Sequence, residues 1–302
     1  IGQLKGAAKM FETAVSIKPE YAEAHKNLGI TLRDLGQMDE AVKSLNKAIS
    51  AEPNNVDAHY NLAITLKDLN QSNSAIQSYK KAIEIKPDFV QAHNNLGNLY
   101  KDLGQTDKAL KSYRKAIEIK PNFAHAHNNL GNTFKDLENY KDAIKSYEKA
   151  IEIKPDYAKA HYNLGGAYHE LGEHDESIKS YERSIEIDPN YAEAHNNIGN
   201  VFQDLGRLDE AFECFEKALT IKPDYVEVHY SLGVLFQELG KLESMIEHLE
   251  YSVTIEPSLS EAHNRLGVAY TELGKFDDSI ESYLKALDIN PNFSEAYNNL
   301  GN

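Results

Sequence analysis

Four groups of side chains in this sequence have types and spacings that chemistry could use. Histidine recurs as His25, His59, His93, His127, His161, His195, His229 and His263, and asparagine as Asn27, Asn61, Asn95, Asn129, Asn163, Asn197 and Asn299. Lysine-aspartate pairs recur as Lys67-Asp68, Lys101-Asp102 and Lys135-Asp136, and Cys214 is the only cysteine. Eight imidazoles in register would suit a metal if they converged. Two imidazoles on one zinc ion need nitrogens about 2 Å from the metal, whereas adjacent packed helices lie roughly 8–10 Å apart. Side chains pointing along equivalent directions do not close that gap, so the histidines are expected to pack between helices and to bind no metal. His125 and His127 share a stretch but point to different faces of a helix.

The remaining groups read the same way. Adjacent residues of a helix do not face one another, so the Lys-Asp pairs are not catalytic couples. Cys214, beside Glu213 and Phe215, is expected to be an inert thiol and has no partner for an internal disulfide. The sequence has no glycine-rich phosphate loop, Gly-x-Ser-x-Gly, His-Glu-x-x-His or Cys-x-x-Cys. It implies no catalytic residue and no cofactor, and the chain alone is not read as an enzyme. Asparagine in mid-helix is mildly unfavourable, so its recurrence asks for a reason. It marks either a ladder facing a ligand, or asparagines that bridge adjacent helices or record internal duplication.

The elements that position these residues follow from the prolines. Pro19, Pro53, Pro87, Pro121, Pro155, Pro189, Pro223, Pro257 and Pro291 are all the prolines present, each 34 residues after the last. Counting from the third residue after a proline gives eight complete units, beginning at Ala22, Val56, Val90, Ala124, Ala158, Ala192, Val226 and Ser260. Residues 1–21 form a partial unit, 22–293 the eight complete ones, and 294–302 the start of another first helix. Position numbers below use this frame.

Ala92, Leu96, Gly97, Tyr100 and Leu103 are spaced by three and four, the buried face of a helix A; Ala109, Leu110, Tyr113, Ala116 and Ile117 make the matching stripe of a helix B. Gly104 supplies a left-handed residue between them, and Pro121 ends the unit because proline does not continue a helix. Asp224-x-x-Glu227, Ser258-x-x-Glu261 and Asn190-x-x-Glu193 read as capping boxes for the following helix A. Small residues at positions 8, 20 and 27, such as Gly131, Ala143 and Ala150, let helices approach closely. In the unit from Val226, Met245 and Ser252 stand where alanine is usual, which implies local repacking.

The period, with Leu-Gly at positions 7–8, an aromatic near 11, Ala at 20 and 27, an aromatic at 24 and Pro at 32, resembles the tetratricopeptide repeat along the whole chain. The resemblance implies an all-α fold, a right-handed superhelical solenoid of antiparallel helix hairpins, and a protein-binding or peptide-binding scaffold that works through the concave face of helix A. Histidine at position 4, in phrases such as Ala92-His93-Asn94-Asn95-Leu96-Gly97-Asn98, is most similar to the arrays of O-linked N-acetylglucosamine transferases. In those arrays an asparagine ladder lines the inner surface. That likeness implies an alternative, the substrate-recognition arm of a protein O-glycosyltransferase whose catalytic domain is not in this chain.

On this reading the peptide-binding residues are Asn61, Asn95, Asn129, Asn163 and Asn197, with Asn98, Asn132, Lys101, Lys135 and Lys159 in reach of the same groove; Ser231 and Arg265 interrupt the ladder. Side-chain amides donate and accept, so they can pair with any peptide backbone, and the lysines would favour acidic side chains. Some family members grip a C-terminal carboxylate. The matching positions here hold Asn94, Asn98, Asn129, Lys159 and Asn163, short of two cations, so weak clamping or none is expected.

Composition bounds the partners. Of 302 residues, 32 are Lys or Arg and 47 Asp or Glu, a net charge of -15 that argues against nucleic acid. Residues 1–155 carry 22 basic against 19 acidic side chains and residues 156–302 carry 10 against 28, so the second half should repel an acidic ligand. No apolar run is long enough for a membrane span and no signal peptide opens the chain, which fits a cytoplasmic location. The sequence opens inside a helix B and closes inside a helix A without polar caps. That suggests a piece of a longer array whose complementary ends could stack head to tail.

Overall fold

Helix A of each unit follows the loop behind its proline, and helix B folds back along it. The computed structural model describes residues 2–302; Ile1, which opens the partial unit, lies outside them. Among the described residues there are eighteen α-helices and no strand, grouped in two compact units, Ile1–Pro155 and Asp156–Asn302. The first holds α1 (Gly2–Ile17), α2 (Ala22–Asp34), α3 (Met38–Ala51), α4 (Val56–Asp68), α5 (Ser72–Ile85), α6 (Val90–Asp102), α7 (Thr106–Ile119), α8 (Ala124–Asp136) and α9 (Tyr140–Ile153). The second holds α10 (Ala158–Glu170), α11 (His174–Ile187), α12 (Ala192–Asp204), α13 (Leu208–Ile221), α14 (Val226–Glu238), α15 (Leu242–Ile255), α16 (Ser260–Glu272), α17 (Phe276–Ile289) and α18 (Ser294–Gly301). No helix among the described residues is long and apolar enough to cross a membrane.

Each hairpin closes around one tight contact. A Cβ placed on Gly97 would lie 2.6 Å from the Tyr113 ring and one on Gly131 2.6 Å from the Tyr147 ring, so the small residue at position 8 is what admits the aromatic at position 24. Tyr79, Tyr113, Tyr147 and Tyr181 are almost wholly buried there. Where position 20 or 27 is serine instead of alanine, the hydroxyl finds a carbonyl: Ser177 donates to Gly165 O at 2.8 Å and Ser184 to Ala158 O at 2.9 Å. Stacking then joins hairpin to hairpin. Leu62, Leu66, Tyr79, Leu96, Tyr100 and Tyr113 form one apolar cluster through α4 to α7, and a larger one runs from Ile178 to Ala269 in the second unit. A lone hairpin would leave its stacking face in water.

The turn between helices A and B needs a left-handed residue. Gly104 takes φ 68° while Gln105 N–H bonds Tyr100 O at 2.8 Å, the Schellman closure. Two units manage without glycine, holding Asn70 at φ 59° and Glu138 at φ 56°. The capping boxes are not formed as expected. Helix A begins one residue later, so the caps are Tyr225, Leu259 and Tyr191, none of which makes a side-chain cap bond. Asn55 and Asn139 do cap, accepting from the Ala58 and Asp142 amides. The divergent unit repacks: Met245, wholly buried, accompanies Leu249 at the usual aromatic site, and Ser252 bonds Leu249 O at 2.7 Å.

Candidate functional site

Helix A carries every ladder position, and the ladder is already bonded to itself. Asn95 Nδ2 donates to Tyr60 Oη at 2.8 Å, and Asn129 Nδ2 to Asn94 Oδ1 at 3.1 Å and Asn98 Oδ1 at 3.0 Å. Asn61 donates to Asp57 O at 2.8 Å and accepts from Arg33 at 3.2 Å. In the second unit Asn197 Nδ2 donates to Tyr162 Oη at 3.0 Å, and Asn163 is buried. The recurring rule is that position 6 of one repeat bonds position 5 of the repeat before. These asparagines therefore tie neighbouring A helices together, each bond contributing about 1 kcal/mol. Asn98 and Asn132 are similarly engaged, accepting from the Tyr113 and Tyr147 hydroxyls at 2.8 Å.

A second ladder runs beside the first and was not visible in the adjacent Lys-Asp pairs. Position 12 reaches position 13 of the next repeat: Lys67 to Asp102 at 3.0 Å, Lys101 to Asp136 at 2.8 Å, His169 to Asp204 at 2.7 Å, and Gln203 to Glu238 at 2.6 Å. The charge of Lys101 is thus already matched, while Lys159 is exposed and Lys135 half-buried. Such half-exposed pairs add little stability and mainly fix the register of the face.

The histidines serve a loop. Nε2 of His25, His59, His93, His127, His195, His229 and His263 lies 2.8–3.2 Å from the carbonyl of the proline six residues earlier. A carbonyl only accepts, so Nε2 carries the proton and the imidazole pins the entry loop to helix A. Burial between helices was legible in the sequence; this backbone acceptor was not. His229 also meets His248, Nδ1 to Nδ1 at 3.0 Å, with His248 stacked on Phe236. Because His229 spends its proton on Pro223, His248 is the donor of that pair. Burial holds His195, His248 and His263 below the usual imidazole range. Among the described residues no three metal-capable side chains converge. Burial pushes the Cys214 thiol up to about 11, which leaves it protonated and unreactive at neutral pH.

Comparison with known proteins agrees with this architecture. The family model described as TPR repeat matches residues 31–70, 65–104, 97–137 and 131–172. Models described as tetratricopeptide repeat match 156–224, 190–255 and 260–293. No curated protein matches the chain. Among solved structures, MamA is 30% identical with a TM-score of 0.50, over 57% of this chain and 94% of its own. YrrB, described as a TPR protein with an unusual peptide-binding site, is 24% identical with a TM-score of 0.51, over 63% of this chain and 98% of its own. The Cut9-Hcn1 hetero-tetramer of APC/C shares the fold at 16% identity and a TM-score of 0.66, over 97% of this chain and 58% of that one. With its repeats matched by these models from residue 31 to residue 293, the chain belongs to the tetratricopeptide repeat family.

Proposed function

We propose that the chain is a scaffold that holds an extended protein or peptide segment along the helix A face of its repeats. The observation that carries this reading is the self-bonded asparagine ladder. Asn95 spends one amide hydrogen on Tyr60 and Asn61 one on Asp57 O, which leaves each a second, whereas Asn129 and Asn197 aim Nδ2 at two acceptors each and offer a peptide chiefly a carbonyl lone pair. A ladder ordered in this way loses little freedom when a peptide backbone pairs with it. The contacting residues on this proposal are Asn61, Asn95 and Asn129 in the first unit and Asn163 and Asn197 in the second, flanked by Asn98, Asn132, Lys101, Lys135 and Lys159. Rungs roughly 8–10 Å apart fit about three residues of extended chain.

The test is titration of a native partner or selected peptide against Asn→Ala variants, with circular dichroism as the control for folding. Single changes should lose about 0.5–1.5 kcal/mol of binding, and the variant lacking all five should lose most of it. Unchanged affinity would make the ladder purely structural. A cytoplasmic location belongs to the same proposal, supported by the single unreactive cysteine; imaging of the tagged protein in its source cell tests it. The second reading, the substrate-recognition arm of a protein O-glycosyltransferase, rests on the phrasing of the position 4 histidines and position 6 asparagines alone, and the comparisons do not favour it. Reading the parent gene decides it: a catalytic domain in the same frame supports the arm, and its absence removes it.

A further inference from the structure

Asparagine gives way twice inside the second unit, at Ser231 and Arg265; Arg265 still reaches position 5 of the repeat before, donating to Tyr230 Oη, whereas Ser231 leaves a specific deficit. At two other position 5 asparagines the carbonyl is satisfied by the next rung: Asn129 donates to Asn94 Oδ1 at 3.1 Å, and Asn299 to Asn264 Oδ1 at 3.1 Å. The corresponding donor for Asn196 would come from residue 231. Serine is too short, and its hydroxyl donates to Asn200 Oδ1 at 3.3 Å instead. Asn196 Oδ1 is therefore buried without a partner, in a residue only 6% exposed. Its amide is held the right way round, since Nδ2 donates to Asn197 Oδ1 at 3.3 Å. A buried acceptor left unpaired is costly, so the site is built to receive a donor.

The missing side chain also opens space. A cavity of about 680 Å³ lies over α12 and α14, lined by Asn196, Asn200 and Ser231 together with Val226, Val234 and Leu259. Four carboxylates rim it, Asp204, Glu227, Glu238 and Glu256, against one guanidinium, Arg265. Arg265 is already committed, donating to Tyr230 Oη at 3.1 Å and to Gln237. Glu238 accepts from Gln203 and Asp204 from His169. Glu227 and Glu256 make no ion pair among the described residues.

We propose that the ladder break at Ser231 is a subsite for a lysine or arginine side chain of the bound segment, donating to Asn196 Oδ1 in place of the absent ladder amide. The proposal rests on the scaffold reading above and specifies what one part of the groove selects. An aliphatic stem suits Val226, Val234 and Leu259, and a cationic head suits Asn196 and the carboxylate rim. A hydroxyl or amide would satisfy Asn196 but not the rim, and an acidic side chain would be repelled by it.

The experiment selects a displayed library of random dodecapeptides against the full chain and against Ser231→Asn and Glu227→Gln/Glu238→Gln. Against the wild type, binders should carry lysine or arginine in one fixed register, and replacing that residue by norleucine should weaken binding about tenfold. Ser231→Asn restores the ladder donor, so it should fold at least as well, still select peptides, and lose the basic register. The double glutamine variant, which changes only exposed carboxylates, should weaken the same preference and covers failure of the first variant to fold. Peptides without a basic register that still depend on the asparagine ladder would overturn the subsite and leave the scaffold reading standing. A basic register that survives Ser231→Asn would also overturn the subsite. Selection of no peptide by any variant would overturn both.

Discussion

His127 Nε2 lies 2.9 Å from the carbonyl oxygen of Pro121, so the fourth residue of helix α8 is tied to the proline that closes the preceding repeat. Replacing His127 by phenylalanine keeps an aromatic at the site but loses this bond, at a cost of about 1 kcal/mol. Gly131→Leu should be worse, because its Cβ alone would meet the Tyr147 ring at 2.6 Å, and overpacking costs about 1–3 kcal/mol or more. Ala63 occupies the equivalent place against Tyr79, so Gly131→Ala should be milder than Gly131→Leu. Urea unfolding of the three variants ranks them; His127→Phe as the most harmful would return the histidines to a functional role.

Glu138 holds φ 56° where six other repeats place glycine. A side chain in that region is strained by about 1–2 kcal/mol, and glycine recovers part of this while adding unfolded-chain entropy. Glu138→Gly should therefore stabilise by about 0.5–1 kcal/mol, and Gly104→Glu should destabilise by a similar or larger amount. Asn70→Gly should change less, since asparagine tolerates φ 59° better than glutamate tolerates its own. Thermal unfolding reads all three; destabilisation by Glu138→Gly would remove the strain argument.

The fold was legible because it is written in residue types. Prolines in strict register, a small residue at Gly131 and an aromatic at Tyr147 each report the steric need of one backbone site. The bonds that shape the candidate face were less legible, since their partners are distant or belong to the backbone. Nothing in the identity of Pro121 announces its carbonyl as the acceptor for His127. Lys101 finds Asp136 only because stacking brings position 12 of one repeat beside position 13 of the next. The alternation of asparagine with serine at residue 231 was visible as a departure. Its consequence, an unpaired carbonyl on Asn196, depended on a bonding rule that only the neighbouring repeats display.

Stability should fall as the solution is acidified below about pH 6.5, and the sign follows from the buried imidazoles. Burial lowers the folded pKa of His195 and His263 below their ordinary value of 6.5; the Pro189 and Pro257 carbonyls oppose the shift without cancelling it. His248 is lowered by burial first and then by His229 beside it. The unfolded chain thus binds protons more readily than the folded one in this range. The contribution is fully present above the unfolded pKa and is lost as pH falls through the folded values. Melting temperatures measured from pH 8 down to about pH 5 should decline most steeply below about pH 6.5. His248→Phe should flatten that decline, because it removes one titrating group and the partner that His229 would repel when charged. A profile as steep in His248→Phe as in the unaltered protein would show that the pair carries none of the pH dependence.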